Sequence, residues 1–382
     1  MLALAGTGER LWLGFAPKYL EWLGASVLII GLFDALQTFL GAVYAWPGGW
    51  ITDHWGERRS LLLFNGLSIA GYLLVLAWGH WLAVILGAFL FLAWSALSLP
   101  ATFTVVATAL ESHRHTMGIG VQSMIRRIPM MIGPLVGGAL ITRYGWRHGI
   151  QLALLGSITL GLITAAFQWF LKDKSPDRPA QPQRQLSFLA VVRSFTPALR
   201  ELLVSDILIR FCERIPYAFV ILWAMNYGHL TARQYGWLAA IEMITAMLCY
   251  VPVAHLADKY GRRPFVLVTF LFFTLFPVTL LWAKSFAWLA VAFAVRGLKE
   301  FGEPARKALI IGEAAPEIRA RTYGAYYLIR DCIVTAGSFL GAWLWSISPQ
   351  VNFIGAAICG ALGTLWFWLF LFRGRKIASS QP

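Results

Sequence analysis

Gly49-Trp50-Ile51-Thr52-Asp53-His54-Trp55-Gly56-Glu57-Arg58 and Ala254-His255-Leu256-Ala257-Asp258-Lys259-Tyr260-Gly261-Arg262-Arg263 are two copies of one polar loop in a chain of 382 residues. Each copy ends one long apolar run and begins another. Moving outward from the loops, an offset of about 204 residues keeps recurring, as an internal duplication requires. Glu9-Arg10-Leu11-Trp12 aligns with Glu213-Arg214-Ile215-Pro216, and Pro100-Ala101 with Pro304-Ala305. Gly120, Ile125, Arg126, Gly133 and Gly137 align with Gly324, Ile329, Arg330, Gly337 and Gly341. The chain therefore reads as two matching halves.

Composition says what the halves are made of. Apolar residues make up 58% of the chain and charged residues 13%, with a mean hydropathy of +0.65. A soluble domain carries about 25% charged residues, so a soluble globular enzyme is excluded, as is a disordered or fibrous chain. The apolar runs are long rather than short and alternating, which excludes an outer-membrane barrel. A spanning helix needs roughly 20 residues. Twelve are predicted, at 2–23, 26–48, 60–79, 81–110, 118–142, 148–171, 201–225, 235–256, 265–283, 286–312, 322–346 and 351–372. The expected fold is an all-α membrane protein of twelve transmembrane helices in two pseudo-symmetric six-helix halves. Residues 1–171 form the first bundle, 172–200 a polar linker, and 201–382 the second bundle and tail. The N-terminal stretch lacks a basic n-region and a cleavage site, so it reads as a retained first span. Cys212, Cys249, Cys332 and Cys359 all fall inside apolar segments without metal-ligand spacing and read as packing residues.

The formal net charge is +14. In a membrane protein this points to cytoplasmic loops rather than to nucleic acid. With the linker placed in the cytoplasm, seventeen loop and tail Lys and Arg residues lie on that side. The other side has five: Lys18, Arg143, Arg147, Arg233 and Lys284. Both termini are thus expected in the cytoplasm, in a bacterial-type inner membrane. Ten basic residues remain inside the spans: Arg10, Arg126, Arg127, Arg210, Arg214, Arg296, Lys299, Arg306, Lys307 and Arg330. Ionised groups in hydrocarbon are costly and face a cavity or a partner.

Span ten concentrates them. Arg296, Lys299, Glu300, Glu303, Arg306 and Lys307 fall within an arc of about 120° on a continuous helix. The matching positions of span four, Leu92, Ser95, Ala96, Leu99, Thr102 and Phe103, carry no charge. Two readings stand side by side. The stripe can bind substrate, its surplus of two positive charges suiting a carboxylate or phosphate. Alternatively, Arg296–Glu300, Lys299–Glu303 and Glu303–Lys307 pair at i,i+4, and Asp331 or other acids from neighbouring helices fill the gap. Arg10 and Arg214 join Arg296, Lys299, Glu300 and Glu303 as candidate substrate ligands. Proton coupling needs a carboxylate that can exchange its proton. Glu9 and Glu213 rank first as a matched pair with adjacent arginines, and Asp34 and Asp331 follow. No hydrolase or phosphate-cradling motif is present, so no enzyme activity, metal or cofactor is expected.

The loops after spans two and eight resemble the signature of the major facilitator superfamily. Asp53, Gly56 and Arg58 fit in the first copy, after Gly49; Asp258, Gly261, Arg262 and Arg263 fit in the second. Ala254 replaces a usual glycine, and Glu57 a usual basic residue. The resemblance implies that these loops gate one conformation and that spans one, four, seven and ten line a central cavity. In span five, Gly120, Gly133, Pro134, Gly137 and Gly138 resemble the family's antiporter motif, with Pro129 at the expected second glycine. No Arg or Lys occurs between Trp81 and Leu110, where drug–proton antiporters usually carry an arginine. The resulting expectation is a secondary transporter, resembling bacterial efflux-type members, that works by alternating access. It exports a small organic compound, an anion among the candidates, by proton-coupled antiport. Symport of an organic anion and lipid flipping on the same fold are the alternatives. The expected partners are a small-molecule substrate, protons and the lipid bilayer, with no nucleic acid, for a monomeric protein.

Overall fold

A computed structural model describes residues 1–94, 115–171, 188–314 and 318–373. Among these residues the chain is helical and has no strand. The apolar runs become helices that follow the predicted spans, with shifts of a few residues at their ends. Glu57–Ala77, Arg127–Trp169, Arg262–Trp282 and Pro349–Phe370 are each long and apolar enough to cross a membrane; Arg127–Trp169 covers two crossings that meet at Gly145. Large apolar side chains point outward along the helices, among them Leu28, Leu162, Leu248 and Trp282. A hydrocarbon solvent permits this arrangement, whereas water would penalise it.

The chain forms two compact units, Met1–Gln181 with Leu230–Ala240, and Pro182–His229 with Ile241–Pro382. The duplication read from the sequence reappears as repeated geometry inside each. Gly56 ends one helix and opens the next at φ 80°, and Gly261 does the same at φ 89°. Only glycine enters that region without strain, which explains its place in both loop copies. In the first unit a Cβ on Gly137 would overlap the Leu11 carbonyl, and in the second a Cβ on Gly341 would overlap the Ile215 carbonyl. Leu11 and Ile215 are themselves matched positions. Span five thus lies backbone-to-backbone on span one, and span eleven on span seven. Small residues permit this close approach between membrane helices.

Several spans are broken where the sequence reading draws continuous helices. Span one divides into Leu2–Leu13 and Ala16–Trp22, ahead of Pro17. Span seven ends its regular part at Tyr217, next to Pro216, and finishes in a π-helical turn, Trp223–Tyr227. Span ten divides into Phe286–Leu298 and Glu303–Gly312. The expected uninterrupted stripe is therefore corrected. Pro304 has no N–H, and its ring would clash with the carbonyl four residues back. At the break the Gly302 N–H donates to Thr269 Oγ1 at 2.5 Å instead of to a helical carbonyl. Span four is described only to Trp94, so from Ser95 onward its uncharged counterparts of the stripe lie outside the described residues.

The second unit has a core of Leu199, Leu202, Ile209, Val266, Phe270, Ile310, Tyr326 and Phe367, drawn from spans seven, nine, ten, eleven and twelve. Span seven starts at Pro197 with Thr196 Oγ1 accepting from the Leu199 N–H, and span twelve starts at Pro349 with Ser348 Oγ accepting from the Val351 N–H. Both are N-caps with proline in the first turn.

Candidate functional site

Span seven carries Asp206, Arg210 and Glu213 at i, i+4 and i+7, hence on one helical face. This face meets the two halves of span ten. Glu213 Oε1 accepts from Lys299 Nζ at 2.8 Å and Glu213 Oε2 from Arg210 Nη1 at 2.7 Å. Arg210 Nη2 lies 3.4 Å from Glu303 Oε2. Arg306 grips Glu303 with two donors, Nη2 to Oε1 at 2.6 Å and Nε to Oε2 at 2.9 Å. The same guanidinium donates through Nη1 to Asp206 Oδ2. That oxygen also faces Arg330 Nη1 at 3.4 Å, and Arg330 Nη2 holds Asp331 at 2.7 Å. At the other end Lys299 lies 3.5 Å from Glu242 on span eight, and Glu242 lies 3.3 Å from Arg296 Nε.

These contacts form one chain whose signs alternate: Arg296, Glu242, Lys299, Glu213, Arg210, Glu303, Arg306, Asp206, Arg330, Asp331. The chain is neutral, and every inner member sits between two opposite charges. Lys307 attaches to Glu303 at 3.8 Å from a half-exposed position. An isolated charge at this depth would cost several kcal/mol, and the alternation is what makes the burial tolerable. The stripe's surplus positive charge is met by acids from neighbouring helices. Of the i,i+4 pairs expected along span ten, Glu303–Lys307 forms at 3.8 Å, whereas Lys299 turns to Glu213 instead of Glu303 because the helix breaks at Lys299–Gly302.

Burial varies along the chain and is greatest at an inner link. The Asp206 and Arg306 side chains are each 1% exposed. Tyr326 Oη donates to Asp206 Oδ2 at 3.2 Å, and Tyr327 lies beneath Arg330 with its ring 4.1 Å from the guanidinium carbon. Arg296 sits among the rings of Tyr217, Phe276 and Phe293. In contrast, the Arg210 and Glu213 side chains are 19% and 17% exposed. The link between Asp206 and Arg210 is the loosest. Asp206 Oδ1 and Arg210 Nε are 3.9 Å apart, and both are buried without a hydrogen bond.

The other predicted residues fall as follows. In the first unit Glu9 and Asp34 are buried, with the Tyr72 hydroxyl in electrostatic range of Glu9 and Arg10. Arg10 packs through its Cβ and backbone against Gly133, and Pro134 and Gly138 lie on the backbone of Gly236 and Ala232 respectively. In the second unit Arg214 lies over Tyr217 at 4.5 Å, and Glu300 stands in the turn that divides span ten. Arg58 stacks on Trp169 at 4.5 Å, and Arg262 reaches the Ala308 carbonyl at 3.4 Å. Arg263 lines a small cavity with Glu313 and Phe367. The side chains of Asp53 and Asp258, with Gly49 and Gly120, lie outside the described residues. Sequence reasoning passed over Asp206 and Glu242 as site residues, although the i,i+4 spacing of Asp206 to Arg210 in an apolar span was a usable signal.

The family model described as Major Facilitator Superfamily matches residues 1–228 and 202–382. Among curated proteins, a Multidrug resistance protein MdtG of Salmonella schwarzengrund is 24% identical, covering 95% of this chain and 90% of its own. An uncharacterized MFS-type transporter of Methanocaldococcus jannaschii is 20% identical, covering 91% and 87%. Among solved structures, a POT family transporter in complex with a thioalcohol conjugated peptide superposes at a TM-score of 0.77 with 15% identity, covering 98% and 96%. The nucleoside transporter NupG superposes at 0.77 with 13% identity, covering 97% and 98%.

Proposed function

The chain belongs to the major facilitator superfamily, and from that premise we propose that it exports a small organic compound in exchange for protons. The family and the relatives make it an integral membrane protein and a secondary transporter. The finer reading places both termini in the cytoplasm of a bacterial-type inner membrane and takes the protein as a monomer.

The observation that carries the proposal is the position of Glu213. It is a shallower inner member of a charge-balanced chain, held between Lys299 at 2.8 Å and Arg210 at 2.7 Å. A proton on Glu213 removes one negative charge and takes one carboxylate partner from each of Lys299 and Arg210, which keep Glu242 and Glu303. Antiport requires proton and substrate to exclude one another, so the exported compound must interact with the ionised carboxylate. Such a compound presents a cationic or hydrogen-bond-donating group to Glu213 in place of Lys299. The remaining members keep the rest of the bundle neutral while this link opens. Glu9, matched to Glu213 in the first unit, and Asp34 and Asp331 supply further proton-accepting groups.

The second reading, symport of an organic anion, uses the same geometry with the opposite coupling. Protonated Glu213 would leave Lys299 and Arg210 each one partner short and able to take a substrate carboxylate in its place, so proton and anion would travel together. The first reading is favoured because Glu242, Glu213 and Asp206 meet the stripe's positive surplus without an added anion. Flux through the purified protein in sealed liposomes under an imposed pH gradient tests the choice, with a panel of organic cations, neutral compounds, anions and lipids. Uphill movement of a cation or neutral compound against inward protons supports export. Anion uptake along with protons supports the second reading, and absence of proton-linked flux across the panel defeats both.

A further inference from the structure

The positive-inside pattern leaves few basic residues on the side facing away from the linker, and the first unit gathers most of those few in one place. Thr142 Oγ1 accepts from the Arg233 backbone N–H at 2.9 Å, which ties the start of span eight to the end of span five. Between spans five and six, Gly145 at φ 77° turns the chain so that Arg143, Arg147 and His148 are all exposed around it. Arg147 lies in electrostatic range of the Tyr19 hydroxyl, beside Lys18, which is paired with Glu21. Arg233 is exposed as well. Among the described residues, Arg143, Arg147 and Arg233 form no ion pair with a carboxylate. The buried chain of the second unit pairs every charge it contains; this patch leaves three guanidiniums open.

Its surroundings indicate the partner. Trp22 and Tyr144 are each 47% exposed beside the arginines, and Tyr19 stacks on Trp22 with ring centroids 5.8 Å apart. Exposed Trp and Tyr at the ends of membrane spans mark the headgroup level. Arginines at that level match phosphate oxygens with two parallel donors. We propose that Arg143, Arg147 and Arg233 form a binding site for the phosphate headgroup of an anionic phospholipid, in the leaflet opposite the Gly56 turn. The assignment of that leaflet as the non-cytoplasmic one rests on the orientation proposed above; the lipid site does not.

Hydrogen–deuterium exchange of the full chain in nanodiscs tests this. One set of discs contains phosphatidylcholine alone, and the other contains phosphatidylcholine with phosphatidylglycerol. Phosphatidylglycerol should slow exchange at residues 142–148 and 231–234. Replacing all three residues (Arg143→Gln, Arg147→Gln, Arg233→Gln) should abolish that protection and weaken binding of short-chain phosphatidylglycerol to the detergent-solubilised protein on the order of a hundredfold, at roughly fivefold per arginine. The Lys versions of the three should restore part of the binding, the share that charge supplies without the two parallel donors. Exchange elsewhere in the same samples reports whether the variant is folded. The proposal is overturned by equal protection in both discs, by protection that survives the triple Gln variant, or by inorganic phosphate protecting the segments as well as the lipid does. Because the readout is lipid protection and not transport, it stands apart from the outcome of the flux assay.

Discussion

Asp206→Asn is the sharpest test of the alternating chain, because it changes one charge and almost no volume. In the native protein Asp206 Oδ2 meets Arg306 and Arg330 together, at side-chain exposures of 1% for the acid, 1% for Arg306 and 8% for Arg330. Removing one partner of a buried ion pair costs about 3–5 kcal/mol, since the remaining charge stays buried without compensation. Here Arg306 keeps Glu303 and Arg330 keeps Asp331. The loss should therefore lie near the lower end, about 3 kcal/mol on that scale. Lys307→Gln is the internal control. Its partner is 3.8 Å away and its side chain is 44% exposed, so it should change stability by less than about 1 kcal/mol. Unfolding of the purified protein in mixed micelles, titrated with sodium dodecyl sulfate, measures both. A double variant, Asp206→Asn with Arg330→Gln, restores neutrality and should recover on the order of 1–3 kcal/mol relative to the sum of the singles. If Asp206→Asn matches Lys307→Gln, or if the double variant is merely additive, the chain is not an energetic unit and the reasoning fails.

The other predictions concern the working link of the chain and the joints that place it. Glu213→Gln should preserve folded yield, because Lys299 retains Glu242, while transport in liposomes loses its dependence on the pH gradient; an unchanged dependence moves the proton site elsewhere. Gly137→Ala and Gly341→Ala should each lower folded yield by gel filtration, at a cost of about 1–3 kcal/mol for overpacking, because the added Cβ meets the Leu11 or Ile215 carbonyl. Normal yield for both would contradict the backbone-to-backbone packing. Thr269→Val removes the hydroxyl that accepts the Gly302 N–H and should cost about 1–3 kcal/mol for the orphaned donor, measured in the same micelle titration. Valine without effect would mean that the break in span ten is held by Pro304 alone.

Much of this protein was legible because the bilayer makes a coarse demand. Long apolar runs have to become helices there, and a duplicated half shows itself twice. The glycines repaid close reading most. Gly56 and Gly261, or Gly137 and Gly341, are matched in sequence because each pair solves one geometric problem, a positive φ in the first case and a carbonyl contact in the second. The site was less legible because charge pairing is three-dimensional. Helical periodicity put Lys299 and Glu303 on one face, but Pro304 ends that helix, and Lys299 turns instead to Glu213, which lies 86 residues away in sequence. No spacing rule reaches that distance. Glu242 meets Lys299 and Arg296 only in three dimensions, for the same reason.

The consequence bears on how the duplication acquired an activity. The contacts that span one makes with span five are repeated between spans seven and eleven, so the scaffold needs no charged chain to hold them. Of the chain's ten members only Glu213 and Arg330 have counterparts of the same type at the matched positions of the first half, Glu9 and Arg126. The other acids and bases occur in one copy of the repeat only. Charges that serve packing alone would gain little, since buried ion pairs roughly balance their own desolvation against well-packed apolar residues. A neutral, alternating chain has another property: neutralising any one member changes the partners of its two neighbours. If Glu213 takes up the proton as proposed, the change of partners passes through Arg210 and Glu303 to a residue as deep as Arg306.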